Sequence, residues 1–386
     1  MNGEKKNDGI QHVYHQISYH PEYLHEFLKT QNFLLRGDGP LRYDHRHYIA
    51  IMAAARHQCT CLINHHKQKF TAQGGNPQWL QGLQYIPAKL RNLSEINKIM
   101  AHTPWLLRRC HIEKLTKGKE SWSLGELCQA LVLLAHFHSL CSFVFASEIL
   151  ESPEEGSETG QSMLDDYINC EEDAVLTVEE LMEKMHIIQN KEKECSCEEA
   201  KNESASGADS KHNCDIHRFT DDHSFPSKDC LIAQDRPHFF IQDCSWDGHA
   251  YSLLNRFYSD VGTILDVKFK VAYDLTYYTM GHKENVDTTI FRRAVWNYVH
   301  RMYSIIHDDY NYSEMENLLE KGFRSYAETV CFCPEKITHD AHDEIMRAFR
   351  HSEKVHVNLM LFEARLQAEL LYAFAALMQY LSDKAN

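Results

Sequence analysis

Glycine and proline are scarce in this chain of 386 residues, with 16 and 9 copies, and runs that alternate apolar and polar residues are hard to find. Extended strands and their tight turns depend on such residues and patterns, so a predominantly β fold is excluded. What recurs instead is a spacing of three to four between apolar residues, which is the period of one helix face. The sequence therefore predicts an all-α protein.

Several motifs of catalysis are also missing. There is no glycine-rich dinucleotide or Walker phosphate loop, no His-Glu-x-x-His pair despite 26 histidines, and no Gly-x-Ser-x-Gly elbow. Nucleotide-driven chemistry, zinc proteolysis and serine hydrolysis are not expected. Cys195, Cys197, His212 and Cys214 have spacings that indicate zinc only weakly, so neither a metal ion nor a cofactor is predicted.

The acidic excess is concentrated in one segment. The formal charge is −15, and residues 151–212 hold 18 acidic residues against 5 lysines, which leaves about −2 elsewhere. Such a balance offers no basic face for nucleic acid or an anionic membrane. The start, MNGEKKNDG, has no apolar signal region, and the 13 cysteines show no disulfide framework. We expect reduced thiols and a location in the cytoplasm, with the nucleus as an alternative.

Helix start signals organise the chain into two helical blocks. Pro21, Pro77, Pro87 and Pro104 each precede an apolar helical pattern. The capping box is matched at Ser123-x-x-Glu126, Thr177-x-x-Glu180 and Ser313-x-x-Glu316. The uncharged run from Leu127 to Ser147 contains histidines and serines, so it predicts a buried helix rather than a membrane insertion. The expected domains are 1–150 and 239–386, joined by an acidic, largely disordered linker over 151–238.

An alanine-rich segment, HYIAIMAAARHQCTCLINHHKQKF, predicts one helix that presents Cys59 and His66 on a single face, almost two turns apart. A thiolate at Cys59 would attack a peroxide and become a sulfenic acid, with His66 handling the protons. The alternative is a buried structural cysteine. Cys61 gives only Cys-x-Cys spacing, and no carboxylate between Arg46 and His66 completes a proton relay.

A second group of residues has the chemistry of an amino-acid clamp. A free α-amino acid needs a cation for its carboxylate, an anion for its ammonium group and an apolar hole for its side chain. Arg292 and Glu353 supply the two charges, and the hydroxyls of Thr276, Thr279 and Thr288 close over the ligand. The alternative is that the charged residues form helix-surface ion pairs and that the threonines are turn or cap residues.

Five longer segments carry a family resemblance: RHYIAIMAAARHQC, KLRNLSEINKIMAHTPWLL, SWSLGELCQALVLLAHFHSLCSFVF, LLNRFYSDVG and FRHSEKVHVNLMLFEARLQAELLYA. In these segments, which follow the family order, the chain resembles the sestrins, the stress-inducible regulators of the TOR kinase pathway, over about residues 20–150 and 240–383. The resemblance implies two domains, each similar to the helical alkylhydroperoxidase/carboxymuconolactone-decarboxylase fold. The N-terminal domain would be the redox domain, and the C-terminal one the leucine-binding domain.

The resemblance also implies residue roles. Cys59 matches the family's redox cysteine, with His66 at the partner position. Arg292 and Glu353 match the groups that hold the carboxylate and the amine of L-leucine. The other matching pocket residues are Thr276, Tyr277, Tyr278, Thr279, Thr288 and His356. Asp308 and Asp309 match the acidic pair implicated in docking to subunits of the GATOR complex, which activates TOR signalling.

Two positions depart from the family pattern. Cys61 stands where the redox motif usually has a tyrosine, and Met346 stands where the pocket usually has a tryptophan, which offers more wall area. The sequence therefore leaves three functions as alternatives. They are a leucine sensor that restrains TOR complex 1 by leucine-sensitive GATOR binding, a thiol peroxidase acting on alkyl hydroperoxides, and a non-catalytic regulatory scaffold.

Overall fold

Helices dominate the computed structural model, which describes residues 9–148, 216–221, 238–281, 283–338 and 347–385. The predicted all-α class is confirmed. The α-helices of these residues are α1 (Gly9–Ile17), α2 (Pro21–Arg36), α3 (Tyr43–Arg56), α4 (Thr60–Ala72), α5 (Ala88–Arg91), α6 (Ser94–His102), α7 (Arg109–Thr116), α8 (Leu124–Glu148), α9 (Tyr251–Phe257), α10 (Val261–Asp274), α11 (Thr289–Met302), α12 (Tyr312–Leu318), α13 (Lys321–Phe332) and α14 (His351–Ala385).

Short elements connect the helices. Strand β1 (Phe239–Phe240) pairs in parallel with β4 (Ile305–Ile306), and β2 (Thr279–Met280) pairs antiparallel with β3 (Lys283–Glu284). Neither pair was predicted, since two residues are too few for a period. The remaining short elements are 3₁₀ turns at Pro77–Gln81, Leu83–Tyr85, Pro104–Leu106, His217–Phe219 and Pro334–Lys336, and a π-helical turn at Trp246–Ala250.

The predicted capping boxes at Ser123 and Ser313 have different outcomes, and the one at Thr177 lies outside the described residues. At the start of α8, the Ser123 backbone N–H donates to Glu126 Oε2 at 2.9 Å and the Glu126 N–H donates to Ser123 Oγ at 3.2 Å, as predicted. The box at Ser313 is wrong, because Asn311 caps α12 instead. Asn311 Oδ1 accepts from the Ser313 N–H at 3.2 Å, and its amide donates to Glu314 at 2.9 Å.

One hydrophobic core extends through both halves of the chain. Helix α8 packs against α3 and α14, and α10 packs against α2.

The segment Leu124–Ser147 is long and apolar enough to cross a membrane by length and composition, but 94% of its most apolar window is buried inside the protein. The apolar face predicted for the last helix is confirmed on α14, where Val355, Leu359, Phe362, Leu366, Leu370 and Leu377 are all fully buried.

A buried polar network joins α14 to the N-terminal helices. The Arg365 guanidinium donates to Glu369 Oε1 at 2.9 Å and to Ser142 Oγ at 2.6 Å, and it lies 3.0 Å from His57 Nε2. The other Glu369 oxygen lies 2.9 Å from His138 Nδ1. Removing one partner of such a network leaves an uncompensated charge in the core, which is strongly destabilising. The network therefore holds the two halves in one arrangement.

The predicted linker lies mostly outside the described residues. The part that is described, 216–221, forms a turn against the N-terminal helices. Phe219 is fully buried there, with its ring centroid 6.2 Å from that of Tyr48 on α3. A stretch within the predicted linker is thus ordered. The weak cysteine/histidine set at 195–214 lies outside the described residues. The domain boundaries remain a prediction, as does the likeness to the alkylhydroperoxidase fold.

Candidate functional site

A short segment between α10 and α11, described at residues 275–281 and 283–288, closes over a pocket against the start of α14; we call these residues the lid. The lid turns at Gly281, which has φ +64° and would place a Cβ 2.6 Å from the Ala348 carbonyl oxygen. Glycine is required there because a side chain would be strained in this conformation and would also clash. The turn brings the Gly281 N–H within 2.7 Å of Glu353 Oε2 on α14.

The pocket under the lid contains most of the predicted leucine-binding residues. Its lining consists of Thr276, Thr279, Met280, Thr288, Phe291, Arg292, Phe349, Glu353, His356, Val357 and Met360. The open space inside is about 10 Å³, which is roughly the room that one water molecule needs. An amino acid would therefore enter only if the lid or the wall residues move.

Glu353 is the anion of this pocket. Its side chain is 3% exposed, and Oε2 accepts hydrogen bonds from the backbone N–H groups of Gly281 (2.7 Å) and Arg350 (2.9 Å). Oε1 is buried and has no hydrogen-bond partner among the described residues. A buried acceptor without a donor costs free energy, so this oxygen is suited to accept an ammonium group.

Arg292 is the cation, and it is 1% exposed. Its Nε–H donates to Thr288 Oγ1 at 3.1 Å, and Nη1 donates to the Tyr273 carbonyl at 2.6 Å and to Asp274 Oδ1 at 2.5 Å. The guanidinium also lies 4.6 Å from the ring centroid of Tyr277, a cation–π distance. These contacts fix the planar group at one wall of the pocket.

His356 is an uncharged residue that forms a hydrogen bond to the lid. Its Nε2 lies 2.7 Å from the Ala272 carbonyl, which can only accept, so Nε2 carries the proton and Nδ1 accepts from Thr276 Oγ1 at 2.5 Å. Burial lowers the pKa of His356 to about 3, so the ring is neutral at physiological pH. Thr288 adds a second tie, because its hydroxyl lies 3.2 and 3.1 Å from the carbonyls of Thr276 and Tyr277.

Six of the eight predicted leucine-binding residues line the pocket. Tyr277 instead flanks Arg292 from the side, and Tyr278 is 65% exposed and lies outside. The residues that sequence reasoning missed are the apolar walls: Met280, Phe291, Phe349, Val357 and Met360. Each lies within three or four residues of a predicted polar one, and that adjacency was an available signal. Met346 lies outside the described residues.

The acidic pair lies on the surface after β4. Both Asp308 and Asp309 are exposed. Arg293 donates to the Asp309 carboxylate at 2.7 Å and to its backbone oxygen at 3.0 Å. Arg293 directly follows Arg292 on α11, so one helix carries both the pocket cation and the residue that binds Asp309.

The predicted redox helix is in fact two helices. Helix α3 ends at Arg56, Gln58 adopts a positive φ of 54°, and Cys59 is the N-cap of α4. The single-helix prediction is wrong because the chain turns at residues 57–58, before Cys59, so that Cys59 and His66 both belong to α4. A helix N-terminus favours a thiolate, but the Cys59 side chain is only 1% exposed.

His66 has a partner that the sequence did not suggest. Its Nδ1 lies 3.0 Å from Nδ1 of His47 on α3, and both rings are buried. Burial, with further effects from neighbouring histidines, lowers the pKa of His66 well below its usual value. A neutral ring does not stabilise a thiolate through charge. A cavity of about 10 Å³ at these histidines is lined by Leu62 and Lys69, and Cys59 is not among its lining residues.

The described residues contain no group of three or more His, Cys, Asp or Glu that could hold a metal ion.

Comparison with known proteins identifies the chain's relatives. Residues 2–381 match the family model described as PA26 p53-induced protein (sestrin). Sestrin-1 of Macaca fascicularis is 45% identical over 409 residues, covering 94% of this chain and 82% of its own length. Sestrin-2 of Homo sapiens is 44% identical over 398 residues, covering 95% and 83%. The Sestrin homolog of Drosophila melanogaster is 38% identical over 467 residues, covering 97% and 93%. The chain belongs to the sestrin family.

Proposed function

We propose that this protein binds L-leucine in the pocket beneath the lid and restrains TOR complex 1 by leucine-sensitive binding to the GATOR complex. The observation that carries the proposal is the unpartnered, buried Oε1 of Glu353 in an apolar cavity that also contains the Arg292 guanidinium. Glu353 Oε1 is suited to an ammonium group, and the Arg292 guanidinium is the cation available for a carboxylate.

The walls favour an aliphatic side chain between the two charges. Phe291, Phe349, Val357 and Met360 are apolar and carry no donors or acceptors that would demand a polar ligand. A ligand binding the closed-lid state more tightly than the open state shifts the population by that difference in affinity. In this proposal, leucine selects the lid conformation in which the surface around Asp308 and Asp309 no longer binds GATOR.

Calorimetry tests the binding part. Wild type should bind leucine, and Glu353→Ala should not, whereas Glu316→Ala, an exposed position on α12, should bind like wild type. The absence of any leucine heat in wild type at millimolar ligand would reject the sensor function. For the docking part, the double variant Asp308→Ala/Asp309→Ala should no longer capture the GATOR complex from a cell extract, and its leucine affinity should not change.

Thiol peroxidase activity is a second candidate, favoured by the position of Cys59 at the N-cap of α4. The proposed step is attack of the thiolate on an alkyl hydroperoxide. It would give a sulfenic acid and release the alcohol. Rapid mixing with cumene hydroperoxide and trapping with dimedone tests it. Equal peroxide consumption by wild type and Cys59→Ser would show that Cys59 has no catalytic role.

A further inference from the structure

The Arg292 guanidinium already has a carboxylate partner of its own. Asp274, the last residue of α10, places Oδ1 at 2.5 Å from Nη1. A carboxylate on a guanidinium is the same interaction that an amino-acid ligand would make. We propose that Asp274 is an internal competitor, which occupies the place of the ligand carboxylate on Arg292 and must leave when an amino acid binds. The inference rests on the proposed function.

The remaining donors of Arg292 support this assignment. Of its five N–H groups, Nε–H is held by Thr288 and one on Nη2 by Thr289, while Nη1 serves Tyr273 and Asp274. A ligand carboxylate that binds with two parallel hydrogen bonds needs two adjacent donors. Within the described part of the chain, a single N–H of Arg292 is left over, so such binding requires an existing partner to leave.

Asp274 is the partner that can leave most easily. The Tyr273 contact is made by a backbone carbonyl in α10, and Thr288 is 4% exposed and tied to the lid. The Asp274 side chain, in contrast, is 63% exposed, so it regains hydration when it leaves. The Arg292 guanidinium exchanges one carboxylate for another and stays neutralised throughout.

The released side chain has a place to go. Asp274 lines a surface groove of about 400 Å³, which also contains Lys270 and Arg293. Lys270 is bound to Asp266 at 2.7 Å and Arg293 to Asp309 at 2.7 Å. Both cations already have carboxylate partners, so the displaced Asp274 carboxylate would be stabilised mainly by water at this exposed groove.

Calorimetric titration of the full chain with L-leucine tests the inference. Asp274→Asn keeps the size of the side chain and removes its charge, so leucine affinity should rise about two- to fivefold, the range expected for an exposed ion pair. Glu316→Gln makes the same carboxylate-to-amide change at an exposed site on α12, away from Arg292, and should leave the affinity unchanged.

Leucinamide separates competition from a structural effect, because it keeps the ammonium group and lacks the carboxylate. Asp274→Asn should leave leucinamide affinity unchanged. Equal or weaker leucine binding by Asp274→Asn, or an equal gain for both ligands, would overturn the competitor role while the leucine pocket stands. No leucine heat in either protein would reject the proposed function and this inference with it.

Discussion

The unpartnered oxygen of Glu353 predicts that binding and stability respond differently to one substitution. Glu353→Gln keeps an acceptor for the Gly281 and Arg350 N–H groups but removes the charge that faces the pocket. An unsatisfied buried acceptor costs about 1–3 kcal/mol, and the loss of charge-assisted hydrogen bonds costs a similar amount. We therefore expect the free energy of unfolding without ligand to stay within about 1 kcal/mol of wild type.

Leucine should then separate the two proteins. At a concentration of about 100 times Kd, a ligand stabilises the folded state by about 2.7 kcal/mol. For 386 residues, an unfolding entropy of about 2.1 cal/mol/K per residue gives about 0.8 kcal/mol/K, so the Tm of wild type should rise by about 3 °C. Glu353→Gln should show no rise, because its amide presents N–H donors or a neutral oxygen to the ligand ammonium.

Differential scanning calorimetry with and without leucine measures both quantities. A Tm of Glu353→Gln that rises with leucine as in wild type would refute the assignment of Glu353 to the ammonium group. A loss of more than about 2 kcal/mol without ligand would show that Glu353 is primarily a structural residue. Glu316→Gln, at an exposed site on α12, controls for the chemical change.

Three further predictions concern the lid, the core and pH. Thr276→Val removes the hydroxyl that bonds His356, so leucine affinity should fall about five- to tenfold by calorimetry, and Thr276→Ser should restore it; a valine variant with unchanged affinity would show that this tie does not hold the lid. Arg365→Met should lower the free energy of unfolding in urea by about 3–5 kcal/mol, because Glu369 is left buried without its cation. The double variant with Glu369→Leu should lose less, and an equal or larger loss would contradict the network. Burial lowers the pKa of folded His356 to about 3, so between about pH 6.5 and 3 only the unfolded ring takes up a proton. The contribution of His356 to the free energy of unfolding is therefore complete above pH 6.5, and it falls by up to about 1.4 kcal/mol per pH unit below that. His356→Gln should flatten the acid limb of the unfolding free energy against pH, and an unchanged slope would refute this.

The sequence predicts most of the helical framework because that framework depends on local patterns. The apolar face of α14 repeats every three to four residues, and the capping box of α8 spans four residues. At such short separations, sequence spacing determines which side chains meet. Arg292 and Glu353 were singled out as one group of each charge, and both line the same pocket, while their role as an amino-acid clamp stays a prediction.

What the sequence could not predict depends on contacts between distant segments. The break at Gln58 uses a positive φ that glutamine rarely adopts, and no glycine or proline next to it indicates a turn. The pairing of His47 with His66 needs α3 and α4 to fold back on each other. Likewise, the contact of Asp274 with Arg292 requires the lid to return the chain to the end of α10. These are properties of packing rather than of spacing.

The central claim is that the pocket recognises a free amino acid by both of its charges. Calorimetric titration of wild type with L-leucine and with N-acetyl-leucine tests this claim most directly. N-acetyl-leucine keeps the side chain and the carboxylate but has no ammonium group for Glu353 Oε1. Leucine should give saturable heat, and N-acetyl-leucine should give none at the same concentrations. Equal binding of the two ligands, or no binding of leucine, would contradict it.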